Sequence, residues 1–338
     1  MKVLMFPHDH EYIHRLKRNL ESRGAKISLC QPFHYATPWN FIKIFFSRLF
    51  GYKIVHVHWI YVFPFVWLMK FFVFLSKKLG YKFVWTIHNI VPHKHTAKDV
   101  EKSRWFYEQV DHRFIHYESN IPELEKMLGV KADNLTVIYH PNFNDSYPNE
   151  IGSQKAREIL GIPINKKVLL CFGQIRADRG ISYFVEALKE LGNDFVGLVV
   201  GEKKDKKTFR FLKDAEGNLP NLQVMEGYVP DDLVQLYFNA CDVVVLPYTK
   251  ITTSGVALLA YAFSRPVIST KTGGVPEVVT NEVGILIPPK DVNALKKAIK
   301  RIFERDYKKM GEGAYRLAKE KFTWEKLAEQ TIKVYNEL

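Results

Sequence analysis

The sequence predicts an α/β protein made of two domains, each built on a doubly wound parallel sheet. Short apolar runs alternate with segments of helical spacing from the first residues onward, which is typical of βαβ units on a parallel sheet. The alternation stops over residues 140–166, where Pro, Asn, Ser and Gly are frequent, and it resumes at residue 168. A chain of 338 residues is long enough for two separate cores. We therefore expect domains over residues 1–149 and 150–321.

The charge balance restricts the kind of partner. The formal net charge is +13, which favours an acidic partner such as nucleic acid, an anionic membrane or a phosphorylated substrate. The basic residues are dispersed and no nucleic-acid motif is present, so we expect no nucleic-acid partner. The three cysteines, Cys30, Cys171 and Cys241, lie in or beside apolar runs, which indicates a reducing compartment and no disulfide framework. The chain enters a strand-like run at residue 3, so we expect no signal peptide and a cytoplasmic protein.

In the first domain, the pattern predicts strands over residues 2–6, 26–29, 82–86, 113–116 and 135–138, and helices over 12–23, 97–110 and 121–128. All twelve histidines lie at or before His140, which indicates a polar cleft in this half. His8, Asp9 and His10 follow the first strand and resemble a metal motif. No companion carboxylate motif supports it, and we expect no metal site.

The segment from residue 39 to residue 79 is aromatic and basic. Its apolar part is interrupted by Pro64 and Lys70 and is too short for a confident membrane span. One interpretation is a buried helix of the first domain. The other is a surface lying on a membrane, with its aromatic side chains in the interface and basic side chains on anionic head groups. We favour a mixture of the two; the basic residues are Lys43, Arg48, Lys53, Lys70, Lys77 and Lys78.

In the second domain, strands are predicted over residues 168–172, 195–200, 222–225, 243–246 and 266–270, with helices over 181–191, 231–240 and 291–338. A further helix ending at Phe263 begins near Thr252, Thr253 or Ser254, any of which is a natural N-cap, and Gly255 permits close approach of a ligand. Such a helix start suits a phosphate, although an ordinary capped helix would have the same sequence.

A second loop at a strand end carries two arginines. The residues GQIRADRG, 173–180, leave a strand and enter a helix. Because arginine binds phosphate bidentately and stays charged, we expect Arg176 and Arg179 to face the Ser254 helix start and to hold a diphosphate from two sides.

These motifs together resemble the GT-B glycosyltransferases called family 4. The resemblance is carried by FGQIRADRG, by GYVPDDLVQLYFNACDVVVLPY, by SGVALLAYAFSRPVISTKTGGVPEVV followed by GILIPPKD, and by FTWEKLAEQTIKVYNEL. It is strong over about half the chain and weaker in HVHW and TIHNIVPH. It implies two Rossmann-like domains facing across a cleft, with the last helix, residues 322–338, crossing back to complete the first, acceptor-binding domain. The second domain would bind the nucleotide-sugar donor.

The resemblance also implies roles for individual residues. Arg176 and Arg179 correspond to positions that meet the donor diphosphate, as do Thr253, Ser254, Gly255 and Val256 at the helix start. Tyr228 and Val229 match the nucleobase pocket, and His88 lies where the first domain reaches the transferred sugar. The family usually carries two glutamates that contact the sugar and the ribose. Their places hold Ile251 and Leu259, which leaves donor identity and stereochemical outcome open.

The implied reaction transfers a sugar from a UDP or GDP sugar to an acceptor hydroxyl in glycan or polysaccharide assembly. Fixed cations and helix amides stabilise the leaving diphosphate, so we expect no metal and no cofactor. An inverting reaction would need a general base, for which Asp9, His88 and His93 are the candidates. The aromatic segment suggests a lipid-linked saccharide or glycolipid acceptor and a peripheral location on the inner face of the cell membrane. The alternatives are a catalytically degenerate subunit that binds donor or a partner enzyme, and a nucleotide-sugar epimerase.

Overall fold

The computed structural model describes residues 1–7, 10–31, 33–92 and 95–338, without the side chains of residues 33–37 and 62. The strands are β1 (Lys2–Phe6), β2 (Lys26–Leu29), β3 (Ile54–Val57), β4 (Lys82–Ile87), β5 (His112–Ile115), β6 (Leu135–Val137), β7 (Lys167–Phe172), β8 (Phe195–Gly201), β9 (Leu222–Glu226), β10 (Val243–Leu246), β11 (Val267–Thr270) and β12 (Gly284–Ile287). The helices are α1 (Glu11–Glu21), α2 (Phe33–Leu49), α3 (Val66–Lys78), α4 (Ala97–Gln109), α5 (Ile121–Leu128), α6 (Ser153–Ile159), α7 (Ile181–Lys189), α8 (Lys206–Asn218), α9 (Val234–Ala240), α10 (Gly255–Ala262), α11 (Val275–Val278), α12 (Val292–Phe303), α13 (Tyr307–Lys321) and α14 (Trp324–Glu337).

The chain divides into two compact units. Met1–His140 and Thr323–Leu338 form the first unit, and Pro141–Phe322 forms the second. The division falls at residue 140, nine residues before the expected boundary at 149. Hydrogen bonds explain the difference, because Asn142 donates from its backbone N–H to the Phe322 carbonyl and from Nδ2 to the Ala318 carbonyl. The Asn149 side chain accepts from Asn239, 2.7 Å away. Residues 141–149 are thereby bonded into the second unit.

The first unit is built on a parallel sheet with strand order β2-β1-β3-β4-β5-β6. Successive side chains of a strand point to opposite faces, and β1 shows this clearly. Val3 and Met5 pack in one apolar cluster with α1 and α14, whereas Leu4 and Phe6 pack in another with α3 and α4. Both faces of the sheet are thus covered, as the near-continuous apolar strands require.

The last helix, α14, packs in the first unit. Leu327 and Val334 join the same apolar cluster as Val3 and Met5. Tyr335 shares a hydrogen bond with Nδ1 of the buried His56 on β3. The predicted return of the C-terminal helix to the first domain is therefore confirmed.

The second unit is built on a parallel sheet with strand order β12-β11-β10-β7-β8-β9. β7 is the first strand of this unit, and it pairs with β8 on one side and with β10 on the other. The strand order therefore reverses between β7 and β10. In open parallel sheets, ligands bind at the carboxyl edge beside such a switch point. Both arginines of the sequence motif follow β7, and the loop that leads to Ser254 follows β10.

Candidate functional site

Two loops meet at the switch point of the second unit. Residues 173–180 follow β7 and residues 247–254 follow β10, and the backbone N–H of Thr249 donates to the Asp178 carbonyl over 2.9 Å. Gly180 has φ +67°, and a Cβ atom there would lie 1.8 Å from the Pro247 carbonyl oxygen. Only glycine permits this close approach, so Gly180 determines how the two loops pack.

Arg179 is connected to the start of α10 through a tyrosine. One guanidinium N–H donates to the Tyr248 hydroxyl over 3.0 Å, and the guanidinium lies 5.1 Å from the centre of that ring. The Tyr248 hydroxyl is 2.8 Å from Ser254 Oγ, and both side chains are buried. Nε of Arg179 is buried without a hydrogen-bond partner among the described residues. Arg179 and Tyr248 line a small pocket with Gly173, and a free cationic donor there suits an anion.

The start of α10 provides further donors. Ser254 is the N-cap, and its Oγ accepts from the Ala257 N–H over 3.3 Å. The amides of Gly255 and Val256 lie in the first turn, where no preceding carbonyl of the helix is available. Gly173 lies against this turn, since a Cβ there would be 3.6 Å from Val256 Cγ2. The helix start and the arginine loop are therefore neighbours.

Arg176 is held differently. It forms a bidentate ion pair with Asp178, at 3.0 and 2.9 Å, and also donates to the Gln174 side chain over 3.3 Å. The structure thus brings Arg179 to the helix start through Tyr248, while it pairs Arg176 with a carboxylate of the same loop. An anion that binds Arg176 has to compete with Asp178.

The remaining donor-site candidates lie around these loops. Thr253 is half-buried beside the Ser254 cap. Tyr228 and Val229 follow β9, and the Tyr228 side chain is 76% exposed. Ile251 and Leu259, which stand where the resemblance would place two glutamates, are both buried. The Ile251 carbonyl packs against Gly273, where a Cβ would come within 1.9 Å of its oxygen.

Sequence reasoning missed Tyr248 and Asp178. Tyr248 is the first residue after Pro247 at the end of a buried strand, a position that could have suggested a site residue. Tyr248 bonds to Arg179, 69 positions away in the sequence, and to Ser254, 6 positions away. Asp178 stands inside the arginine motif itself, and an acid two residues from Arg176 was a signal for a local ion pair.

The first unit gathers histidines at the carboxyl edge of its sheet. His58, His88 and His116 directly follow β3, β4 and β5. Their rings lie in a row, with centroids 5.4 Å apart from His58 to His88 and 4.8 Å apart from His88 to His116. Burial and the neighbouring histidines hold the pKa of His58 and His88 well below the usual value. Among the described residues, no three or more histidine, cysteine or carboxylate side chains are arranged to hold a metal ion.

Of the three candidate bases, only His88 can be located. Its ring stacks on Trp59 at 4.4 Å with an interplanar angle of 15°, and Tyr12 meets it edge-on at 4.8 Å. Asp9 and His93 lie outside the described residues.

The first unit also exposes an aromatic surface on α2, α3 and the segments that follow α2 and precede α3. Side chains of α3 divide between two faces: Leu68, Met69 and Phe72 are buried, while Trp67 is 66% exposed. One face of α3 therefore belongs to the core of the first unit, and the other face is exposed. In the part of the chain that is described, no helix has the length and apolarity needed to cross a membrane. The aromatic surface consists of the exposed Trp39, Ile42, Phe45, Phe46, Leu49, Phe50, Tyr61, Phe65, Val66, Trp67, Phe71 and Phe74.

The part of the sequence that contains this surface carries only positive charge. Residues 22–98 contain no Asp or Glu and eleven Lys or Arg, which accounts for most of the net charge of +13. Two of the six basic residues expected to face head groups are turned inward instead. Lys43 donates to the Leu29 carbonyl and Arg48 to the Leu79 carbonyl, because each carbonyl lies at the end of an element where it needs a donor. Lys53, Lys70, Lys77 and Lys78 are exposed.

Comparisons with known proteins match a family model to most of the second unit. The family model described as "Glycosyl transferases group 1" matches residues 152–317. An uncharacterized glycosyltransferase of Methanocaldococcus jannaschii is 26% identical over 227 residues, which cover 63% of this chain and 56% of that protein. The chain thus spans little more than half the length of this relative.

Solved structures share the whole fold. The sucrose-phosphate synthase of Thermosynechococcus elongatus superimposes with a TM-score of 0.80 at 17% identity, covering 99% of this chain and 98% of that one. HepE of Anabaena, in complex with UDP, gives a TM-score of 0.79 at 16% identity, with all of both chains covered. The GT-B fold expected from the sequence is therefore confirmed.

Proposed function

Because residues 152–317 belong to the glycosyl transferases group 1 family, we propose that the protein transfers a sugar from a nucleoside diphosphate sugar to an acceptor hydroxyl. The observation that carries this proposal is the buried connection of Arg179 to Tyr248 and Ser254, which joins a cation to a helix start at the switch point. A HepE structure contains UDP, which supports UDP as the nucleotide, with GDP as the other candidate.

The chemistry required of this site is stabilisation of the leaving diphosphate. Negative charge builds on the phosphate oxygens as the glycosidic bond breaks. The Arg179 guanidinium and the amides of Gly255 and Val256 are fixed before the donor arrives, so they stabilise that charge with little reorganisation. Arg176 joins them when a phosphate displaces Asp178. In this proposal the charge is compensated by the protein and the reaction requires no metal.

Thermal unfolding in the presence of UDP, GDP, ADP, CMP and their sugars tests donor binding. A ligand that binds only the folded protein stabilises it by about 2.7 kcal/mol at a hundredfold excess over its Kd. We expect a shift with one nucleotide and loss of the shift in the Arg176→Ala/Arg179→Ala double variant. The matched control is Arg210→Ala/Arg301→Ala, which removes two exposed arginines of the same unit and should keep the shift. The absence of any shift would contradict the proposed donor site.

Transfer of radiolabelled sugar separates catalysis from binding. The buried Ile251 and Leu259 favour one rival, a catalytically degenerate subunit that binds the donor without using it. Nucleotide binding without transfer to any acceptor, including lipid-linked saccharides, would support this rival. Interconversion of the donor sugar without an acceptor would instead indicate an epimerase.

We also propose that the acceptor is a lipid-linked saccharide or glycolipid used in glycan assembly, and that the protein lies peripherally on the inner face of the cell membrane. The proposed membrane location is supported by the aromatic surface and by the absence of acidic residues over 22–98. Exposed aromatic side chains enter the head-group region, and each lysine near an anionic surface contributes about 1 kcal/mol.

Flotation with vesicles tests the membrane part. We expect binding to vesicles that contain phosphatidylglycerol, weaker binding to pure phosphatidylcholine, and release by salt. Trp67→Ser should weaken binding. Ile164→Ser is its matched control, since Ile164 is 65% exposed in the second unit. Equal binding of both variants, or no binding at low salt, would refute the membrane surface while leaving the donor site untouched.

A further inference from the structure

Three histidine rings of the first unit form a continuous hydrogen-bonded chain. Nδ1 of His116 lies 2.9 Å from the Ile138 carbonyl oxygen. Nε2 of His116 lies 3.0 Å from Nδ1 of His88, and Nε2 of His88 lies 3.1 Å from Nδ1 of His58. Both ring nitrogens of His88 are therefore engaged by other histidines.

The carbonyl at one end of the chain determines where every proton lies. A carbonyl oxygen can only accept, so Nδ1 of His116 carries a hydrogen and donates to Ile138. A neutral imidazole has one N–H, so Nε2 of His116 accepts from Nδ1 of His88. By the same reasoning, Nε2 of His88 accepts from Nδ1 of His58. All three rings are then Nδ1–H tautomers, and the chain ends at Nε2 of His58, which is buried without a partner among the described residues.

The surroundings keep the chain neutral. Burial lowers the pKa of His116 to about 3, and it holds the pKa of His58 and His88 well below the usual value. A positive charge on a neighbouring histidine would make protonation of these three rings still less favourable. The titratable groups that face the row from the described residues are Tyr12 on α1, His10 at its N-cap, His56 on β3 and His140 after β6.

We propose that His58 and His116 are positioning residues that hold His88 neutral, in one tautomer and in one ring orientation. With both nitrogens engaged, His88 cannot take a proton from an acceptor hydroxyl unless one of these bonds breaks. It meets the substrate as a fixed, uncharged ring and not as a general base. The catalytic consequence of this inference rests on the proposed sugar transfer, whereas the tautomers do not depend on it.

Nitrogen-15 NMR of histidine-labelled full-length protein tests the tautomers directly. At pH 7 we expect the wild type to show protonated Nδ1 and unprotonated Nε2 at His58, His88 and His116. A doubly protonated His88, or a His88 protonated at Nε2, would overturn the proposal. This measurement needs neither donor nor activity, so it remains decisive if sugar transfer is not found or if a variant fails to fold.

A matched pair of variants on β5 and the turn after it tests the positioning role. In His116→Asn, the side-chain amide can still donate to Ile138, but the acceptor for His88 is lost, so His88 should no longer show a single tautomer. His112→Asn makes the same change four residues earlier, where the histidine bonds to Thr136, and should leave the three rings unchanged. An unchanged His88 spectrum in His116→Asn would overturn the proposal.

The transfer assay then measures the catalytic consequence. Because misplacement of a group at a reacting centre is costly, we expect His116→Asn to lower kcat by about tenfold or more with little change in donor KM. The wild-type pH–rate profile should show no limb from His88 between pH 5 and 8. Full kcat in His116→Asn with an altered His88 tautomer would refute the catalytic role.

Discussion

Replacement of Gly180 by alanine should disrupt the second-unit site through backbone geometry alone. The residue has φ +67°, and a Cβ there would lie 1.8 Å from the Pro247 carbonyl oxygen and 2.8 Å from its carbon. The left-handed conformation costs an alanine about 1 kcal/mol. The overlap with a backbone carbonyl cannot be relieved by a side-chain rotation, and overpacking of this kind costs about 1–3 kcal/mol more.

Gly192→Ala provides the matched control. Gly192 has φ +81° in the same unit, and nothing lies within 4 Å of its added Cβ. It should therefore show the conformational cost alone, about 1 kcal/mol, or about 2–4 °C in Tm for a domain of this size. Gly180→Ala should lose two to four times as much, because the overlap adds to the same conformational cost.

The two variants should also differ in ligand binding. Movement of residues 173–180 away from Pro247 separates Arg179 from Tyr248, so Gly180→Ala should lose the nucleotide-induced thermal shift while Gly192→Ala retains it. Thermal unfolding with and without the stabilising nucleotide measures both effects. Equal Tm values for the two variants, with nucleotide binding intact in both, would refute the reasoning that the close approach of Gly180 and Pro247 builds the site.

Three other predictions concern acid stability, donor affinity and the helix cap. Burial lowers the pKa of His56 and of His116 to about 3, so their stabilising effect is complete above pH 6.5 and is lost as the pH falls from 6.5 towards 3. Each histidine should lower the free energy of unfolding by about 1 kcal/mol at pH 5.5. An unchanged Tm between pH 7.5 and 5.5 would contradict this prediction. Asp178→Asn releases Arg176 from its partly exposed ion pair. Because a surface pair contributes up to about 1 kcal/mol, the donor Kd measured by calorimetry should fall by up to about fivefold; an increase in Kd would show that Asp178 assists binding. Ser254→Ala removes the cap of α10 and should lower the free energy of unfolding by about 1–2 kcal/mol. An unchanged free energy of unfolding would contradict the stabilising role of the cap.

Local patterns account for most of the secondary structure. The strands were predictable because buried parallel strands are apolar along their whole length, as in residues 243–246 and 195–200. Polar elements and elements within loop-like sequence were not. Helix α8 has a strongly charged exposed face, and α6 lies within the Pro-rich and Ser-rich segment. Their stability comes mainly from packing against the rest of the second unit, which no local pattern contains.

The sequence by itself determined the two-sheet α/β fold, the position of the arginine loop and the Ser254 helix start at strand ends, and the restriction of histidines to the first half. Each follows from residue order and hydrophobic period. Only the tertiary structure decided that Arg179 is bonded to Tyr248 and that His58, His88 and His116 form one chain. The histidines are about 30 residues apart and meet because β3, β4 and β5 are adjacent in one sheet. Side-chain partners depend on strand order and on backbone approaches such as that of Gly180, which are properties of the folded chain.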